Sequence, residues 1–128
     1  MKVLLDTCTF LWIALDASPL SRVARETYRT CDNEVYLSTV SAWEITVKHA
    51  LGRLPLPSSP ATFVPALREA HEIESLPLRE EESLYLHRLP TLHRDPFDRM
   101  LVCQAIVGGM LLLTPDPAIQ QYPVRANW

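Results

Sequence analysis

The sequence predicts an α/β fold of three layers, in which a mostly parallel central sheet is flanked by helices, and three observations predict it. Short apolar runs of strand length, Lys2 to Leu5, Val35 to Ser38 and Met110 to Leu113, alternate with longer segments of helical period. The first and last of these runs are continuously apolar rather than alternating, as strands covered on both faces are. An acid or a hydroxyl follows each run, at Asp6, at Ser41 to Glu44, and at Thr114 and Asp116. With 128 residues, 48% of them hydrophobic, the chain is long enough for one well-buried domain spanning 1–128 and too short for two.

In chain order, Lys2 to Leu5 forms a strand that stops at Asp6, and Thr9 to Leu15 makes a short apolar helix. Ser18-Pro19 opens a second helix whose Arg22, Arg25 and Arg29 share a face. That face reads as solvated, with an RNA or partner stripe as the alternative. The strand Val35 to Ser38 leads into a helix from Ala42 to Leu51, stopped by Gly52. Ser41 to Glu44 matches the S-x-x-E capping box, so Glu44 has a local explanation as well as a functional one.

A proline-rich connection, Leu54 to Pro60, delivers the helix Ala61 to His71, whose buried face is Phe63, Val64 and Leu67. Ile73 to Leu78 suits a short strand. The run Glu80, Glu81 and Glu82 starts the next helix, where acids complement the dipole on a solvated face. Asp95-Pro96 is an N-cap followed by a proline in the first turn, and the helix runs from Pro96 to a stop at Gly108 and Gly109. Asp98 then falls at the third position. Met110 to Leu113 is a buried strand that ends Thr114-Pro115-Asp116, and a last short strand lies around Val124.

The formal net charge of -3 argues against holding nucleic acid by bulk electrostatics. Three cysteines, Cys8, Cys31 and Cys103, without C-x-x-C spacing fit reduced thiols, so no disulfide frame or zinc site is expected. His87 and His93 lack tight metal spacing and read as surface or supporting residues. The N-terminal apolar run is too short for a signal peptide, and Ala105 to Leu113 is too short to span a bilayer. The expectation is a soluble, cytoplasmic protein without membrane contact.

Asp6, Glu44, Asp98 and Asp116 all fall at strand ends or in first helical turns. In a three-layer sheet with right-handed crossovers such places lie on one rim, where ligands bind. Each acid taken alone is explained by capping. Together they repel, and a cluster of this kind persists when protons or metal ions neutralise it. Hard oxygen donors suit Mg2+ or Mn2+, and carboxylate-held divalent ions suit water attack on a phosphodiester. The sequence has no G-x-S-x-G elbow, phosphate loop or H-E-x-x-H, and it has no second acid at Cys8 for a phosphoaspartyl mechanism.

The segments LLDTCTFLW, LSTVSAWEITVKHALGRL, HRDPFDRMLVCQA and LLLTPDPAIQQYPV, in this order and spacing, resemble the PIN-domain ribonucleases, specifically the VapC-type toxins of bacterial toxin–antitoxin pairs. The resemblance covers essentially the whole chain. It implies a PIN-like fold, Asp6, Glu44 and Asp98 as metal-binding catalytic acids, and Asp116 as the fourth, more variable one. Thr114 and Thr7 match supporting hydroxyls. Asp95 belongs to the DPFDR signature and keeps its capping role, while Arg99 would contact phosphate or pair with the acids. Cys8 stands where related chains often carry histidine, and Pro115 bears on the placing of Asp116.

The resemblance further implies Mg2+ or Mn2+ as the cofactor, an RNA substrate, a homodimer, and a cognate VapB-like antitoxin that blocks the site with a basic side chain. Phe10, Trp12, Trp43 and Val47 would line its groove or belong to the core. The alternative is a catalytically silent PIN-like module that binds RNA or a protein partner.

Overall fold

The computed structural model describes residues 1–17 and 19–128. Five strands, β1 (Lys2–Leu5), β2 (Glu34–Ser38), β3 (Glu74–Leu76), β4 (Leu111–Leu113) and β5 (Ala126–Asn127), form one sheet in the order β3-β2-β1-β4-β5. Every pairing is parallel, with Val3 opposite both Val35 and Leu111. All carboxyl ends therefore meet at one edge. The helices are α1 (Thr7–Ala14), α2 (Arg22–Arg29), α3 (Thr39–Ala50), α4 (Pro60–Ala70), α5 (Glu80–Tyr85), α6 (Pro96–Gly108) and α7 (Pro117–Gln120).

The strand period of two divides the core into two layers. Val3, Leu5, Leu37 and Leu113 point to one face, where Phe10 and Ile13 of α1, Ala24 of α2 and Phe63 of α4 cover them. Leu4 and Leu112 point to the other, against Leu101, Val102 and Cys103 of α6 and Ile119 of α7. Because β1 and β4 have apolar side chains on both faces, the sheet sits in the middle of three layers. The predicted fold class is the observed one.

Helix starts differ from expectation wherever a hydroxyl had two possible uses. In α3 the cap is Ser38, whose hydroxyl accepts from Val40 N at 3.0 Å, so the helix begins at Thr39 and not at Ala42. Ser41 is fully buried within it, and the capping-box reading of Ser41 and Glu44 is replaced. In α2 the cap is Ser21, which accepts from Ala24 N at 3.0 Å, and the start lies at Arg22, later than Ser18-Pro19 implied. Ser18 itself lies outside the described residues. Arg22 pairs with Glu26 at 2.9 Å on an exposed face, in line with a solvated stripe.

Two further differences have a packing cause. Glu82 is 2% exposed, and Arg79 donates to it at 3.1 Å; the acidic run is thus only partly solvated, because the third residue of α5 faces inward. The last strand falls at Ala126–Asn127 and not around Val124, since Leu112 pairs with Ala126 and Tyr122 anchors the preceding turn in the core. The end of α6 follows the sequence reading: Gly109 takes a left-handed φ of 63°, which a side chain would strain.

Candidate active site

Asp6 leaves β1 at the edge of the sheet and is buried at 3% exposure. Its backbone N–H donates to Leu113 O at 3.2 Å, which ties the ends of β1 and β4 together. One carboxylate oxygen accepts from Thr9 N at 2.9 Å and caps α1, so the local explanation of this acid holds alongside any other. Its second oxygen accepts from the Thr114 hydroxyl at 2.5 Å. The Cys8 thiol also donates to the carboxylate, at 3.3 Å from the first oxygen and 3.4 Å from the second. Burial raises the Asp6 carboxyl above its ordinary range, and these hydrogen bonds oppose the rise. Burial and then the charge of Asp6 raise the Cys8 thiol, which keeps it protonated.

Glu44 comes from α3, well inside the helix, and is 4% exposed. Thr7 donates to its Oε1 at 2.6 Å, and the Thr7 and Ser41 hydroxyls lie 2.9 Å apart. Lys48, one turn further along, takes its Oε2 in an ion pair. Burial works against the Lys48 charge, but the hydrogen bond and charge of Glu44, with Asp95 and Asp98 behind them, outweigh it and hold the ammonium above its ordinary range.

Asp98 is presented by the start of α6. Asp95 Oδ1 accepts from Phe97 N at 2.9 Å and Asp98 N at 3.1 Å, the capping role read from the sequence, and Pro96 occupies the first turn. Removal from water pushes the Asp98 carboxyl up to about 8, and the charges of Asp95, Glu44, Asp116 and Asp6 add to the rise. The charges of acids from four separate segments thus bear on one group. His93 Nε2 stands 3.6 Å from Asp98 Oδ2, and His93 Nδ1 lies 2.6 Å from the Tyr122 hydroxyl.

Asp116 sits at the border of this group. Its Oδ1 accepts from Ala118 N at 2.9 Å and caps α7, and its N–H donates to Thr114 Oγ1 at 3.1 Å. Pro115 leaves it half-buried and close enough to act on Asp98. Arg99 turns from the acids: its guanidinium donates to Pro90 O at 3.1 Å and the Tyr122 hydroxyl at 3.2 Å, because α6 carries it onto the loop before the helix. Phe10 is core, Trp12 meets Trp128 at a 60° tilt with ring centroids 5.6 Å apart, and Trp43 is exposed.

Among the described residues, no three His, Cys, Asp or Glu side chains close round a single ion-sized point. The cause is visible in the contacts: Glu44 is drawn to Lys48, and Asp6 to Thr114 and Thr9. In donor chemistry the set nonetheless fits a hard divalent ion, since it is all oxygen and carries surplus negative charge. The sequence reading missed Ser41 and the Tyr122–His93 pair. It also missed the Lys48–Glu44 ion pair, although a lysine four residues after a glutamate is a legible spacing.

Among solved structures, the chain resembles VapBC2 from Rickettsia felis bound to a DNA fragment from its promoter, with a TM-score of 0.76 and 13% identity over 100% of this chain and 99% of that one. It also resembles VapBC-1 from nontypeable Haemophilus influenzae, with a TM-score of 0.67 and 16% identity over 99% and 97%. For VapBC-5 from Mycobacterium tuberculosis the values are 0.61 and 16%, over 98% and 95%. These likenesses show the fold. No curated protein matches the chain. The PIN domain profile matches residues 3–124, nearly the full length, and the chain belongs to the PIN domain family.

Proposed function

We propose that this chain is a metal-dependent endoribonuclease toxin of the VapC type, hydrolysing RNA phosphodiester bonds and restrained by a cognate VapB-like antitoxin. The observation that carries the reading is the gathering of Asp6, Glu44, Asp98 and Asp116 at the carboxyl edge of the parallel sheet, with Asp6 and Glu44 buried and each held by a threonine hydroxyl; the raised Asp98 carboxyl agrees with it. A structural role would not require so much like charge in one place. A divalent cation answers it directly.

Asp6, Glu44 and Asp98 are the residues that would hold Mg2+ or Mn2+, with Asp116 at the border. When bound, such an ion makes water a nucleophile at neutral pH and stabilises the charge that develops on the phosphate. Thr114 and Thr9 fix the Asp6 carboxylate, and Thr7 with Ser41 fixes Glu44, so that the donors keep their direction. Lys48 is the cation that Glu44 has in this structure, and it stands ready to face a phosphate. His93 Nε2 lies 3.6 Å from Asp98 Oδ2, and the Tyr122 hydroxyl orients the ring through its other nitrogen.

The similar VapBC structures pair toxin with antitoxin, which supports an antitoxin partner here; a basic antitoxin side chain would meet the same surplus of negative charge. A homodimer belongs to the same reading. A cytoplasmic location also belongs to this reading; among the described residues no helix is long and apolar enough to cross a membrane. The spread of the acids favours, as a second reading, a silent module that binds RNA or protein without cutting. Purified protein with Mn2+ and RNA separates them: cleavage that Asp6→Asn and Asp98→Asn abolish, with unchanged circular dichroism, supports the nuclease. Equal cleavage by the variants would assign the activity to a contaminant.

A further inference from the structure

Trp43 is an anomaly for a ring so near a buried site. It is 59% exposed, and its indole meets the ring of Phe97 edge-on, with centroids 4.9 Å apart and planes at 74°. Each of these two aromatics immediately precedes an acid of the cluster, Trp43 before Glu44 and Phe97 before Asp98. Successive residues of a helix point about 100° apart, so Glu44 can be buried while Trp43 remains on the rim above it. Packing of α3 on α6 brings the two rims together. The result is a braced aromatic plate beside the carboxylates, with much of its surface left in water.

We propose that Trp43, held by Phe97, is the plate on which an unpaired base next to the scissile phosphate stacks. The inference rests on the nuclease reading and names its substrate more closely: RNA that is single-stranded where it is cut. A phosphate at the acids brings its own nucleosides to the rim, because they are covalently attached to it. A base has two apolar faces that an indole matches, and stacking of this kind is tolerant of sequence. In a duplex both faces are already taken by neighbouring bases, so paired RNA gains nothing from the plate. The edge-on contact with Phe97 restrains the indole before binding, which lowers the ordering cost. Trp43 acts as a positioning residue.

The test is binding of the full chain to a short single-stranded oligoribonucleotide in EDTA, where no cleavage occurs, read by tryptophan fluorescence. The wild type should be quenched by the single strand and much less by the same sequence as a duplex. Trp43→Ala should weaken binding about 5- to 150-fold, the range of one base–aromatic stack, with Mn2+ affinity and thermal unfolding unchanged. Trp43→Phe should restore most of the affinity while losing the quench. In cleavage assays the loss should fall mainly on KM. Wild-type affinity in Trp43→Ala would overturn the proposal, as would an altered oligomeric state with unaltered RNA binding, which would assign the ring to a protein interface. Loss of binding in Trp43→Ala, with no cleavage by the wild type in Mn2+, would leave the plate standing and refute the nuclease reading.

Discussion

Asp98 concentrates the electrostatic tension of the molecule in one carboxyl group. In the unfolded chain it titrates as an ordinary aspartate, and in the folded chain at about 8. Between those values the native state holds the extra proton, so stability contributed by this group is present at low pH and falls as pH rises through the interval. Without metal, the melting temperature should therefore decline from about pH 5 to 8, and Asp98→Asn should flatten the decline. Added Mn2+ should raise it more at pH 8 than at pH 6, since the ion competes with the proton. A flat melting profile in the wild type would contradict the assignment of the shift. Thr114→Val removes the hydroxyl on Asp6 and should lower activity by about 10- to 100-fold with the fold intact. Assay at saturating Mn2+ checks it. At this scale the acids stood out in the sequence because they fall at strand ends or in first helical turns, while the place of Ser41 did not: S-x-x-E satisfied a local rule, and only the structure reveals that Ser38 is the cap.

The start of α6 separates two functions that sit three residues apart. Asp95 caps the helix and also adds charge beside Asp98. Asp95→Asn keeps the cap and removes the charge, so it should retain stability while lowering the Asp98 pKa; Asp95→Ala should cost about 1 kcal/mol in denaturant unfolding. Equal stability losses in both variants would mean that the charge, and not the cap, is what Asp95 supplies. At the far end, Gly109→Ala should cost roughly 1 kcal/mol through its left-handed φ alone, measured in the same way. The capped start, the proline and the glycine stop are local signals, and the element was readable for that reason. The starts of α2 and α3 were harder to read because several hydroxyls precede each and the choice among them is tertiary: Ser38 also donates to Gln104 at 2.5 Å, a contact with α6 that no local pattern announces. Glu82 was misread for a similar reason, as its neighbours in the sequence are exposed and its burial depends on how α5 meets α6.

For the whole molecule, the parallel sheet does the assembling. Strand order β3-β2-β1-β4-β5 brings Asp6 and Thr114 to adjacent strand ends, while α3 and α6 project Glu44 and Asp98 over the same edge. The three-layer class was legible from continuous apolar runs, because a strand covered on both faces cannot alternate. How the acids share their edge was not, since that depends on Lys48 and the hydroxyls that hold each one apart. Leu112 has no exposure in the core that supports the edge, and Leu112→Ala should cost about 2–5 kcal/mol and lower activity only through unfolding. The central claim is that this edge is a metal-dependent phosphodiesterase site, and its most direct test is cleavage of a single-stranded RNA with Mn2+ by the wild type, Asp6→Asn and Asp98→Asn in parallel. The account predicts cleavage by the wild type that EDTA stops, and none by either folded variant. Cleavage that survives EDTA, or that both variants retain, would contradict it.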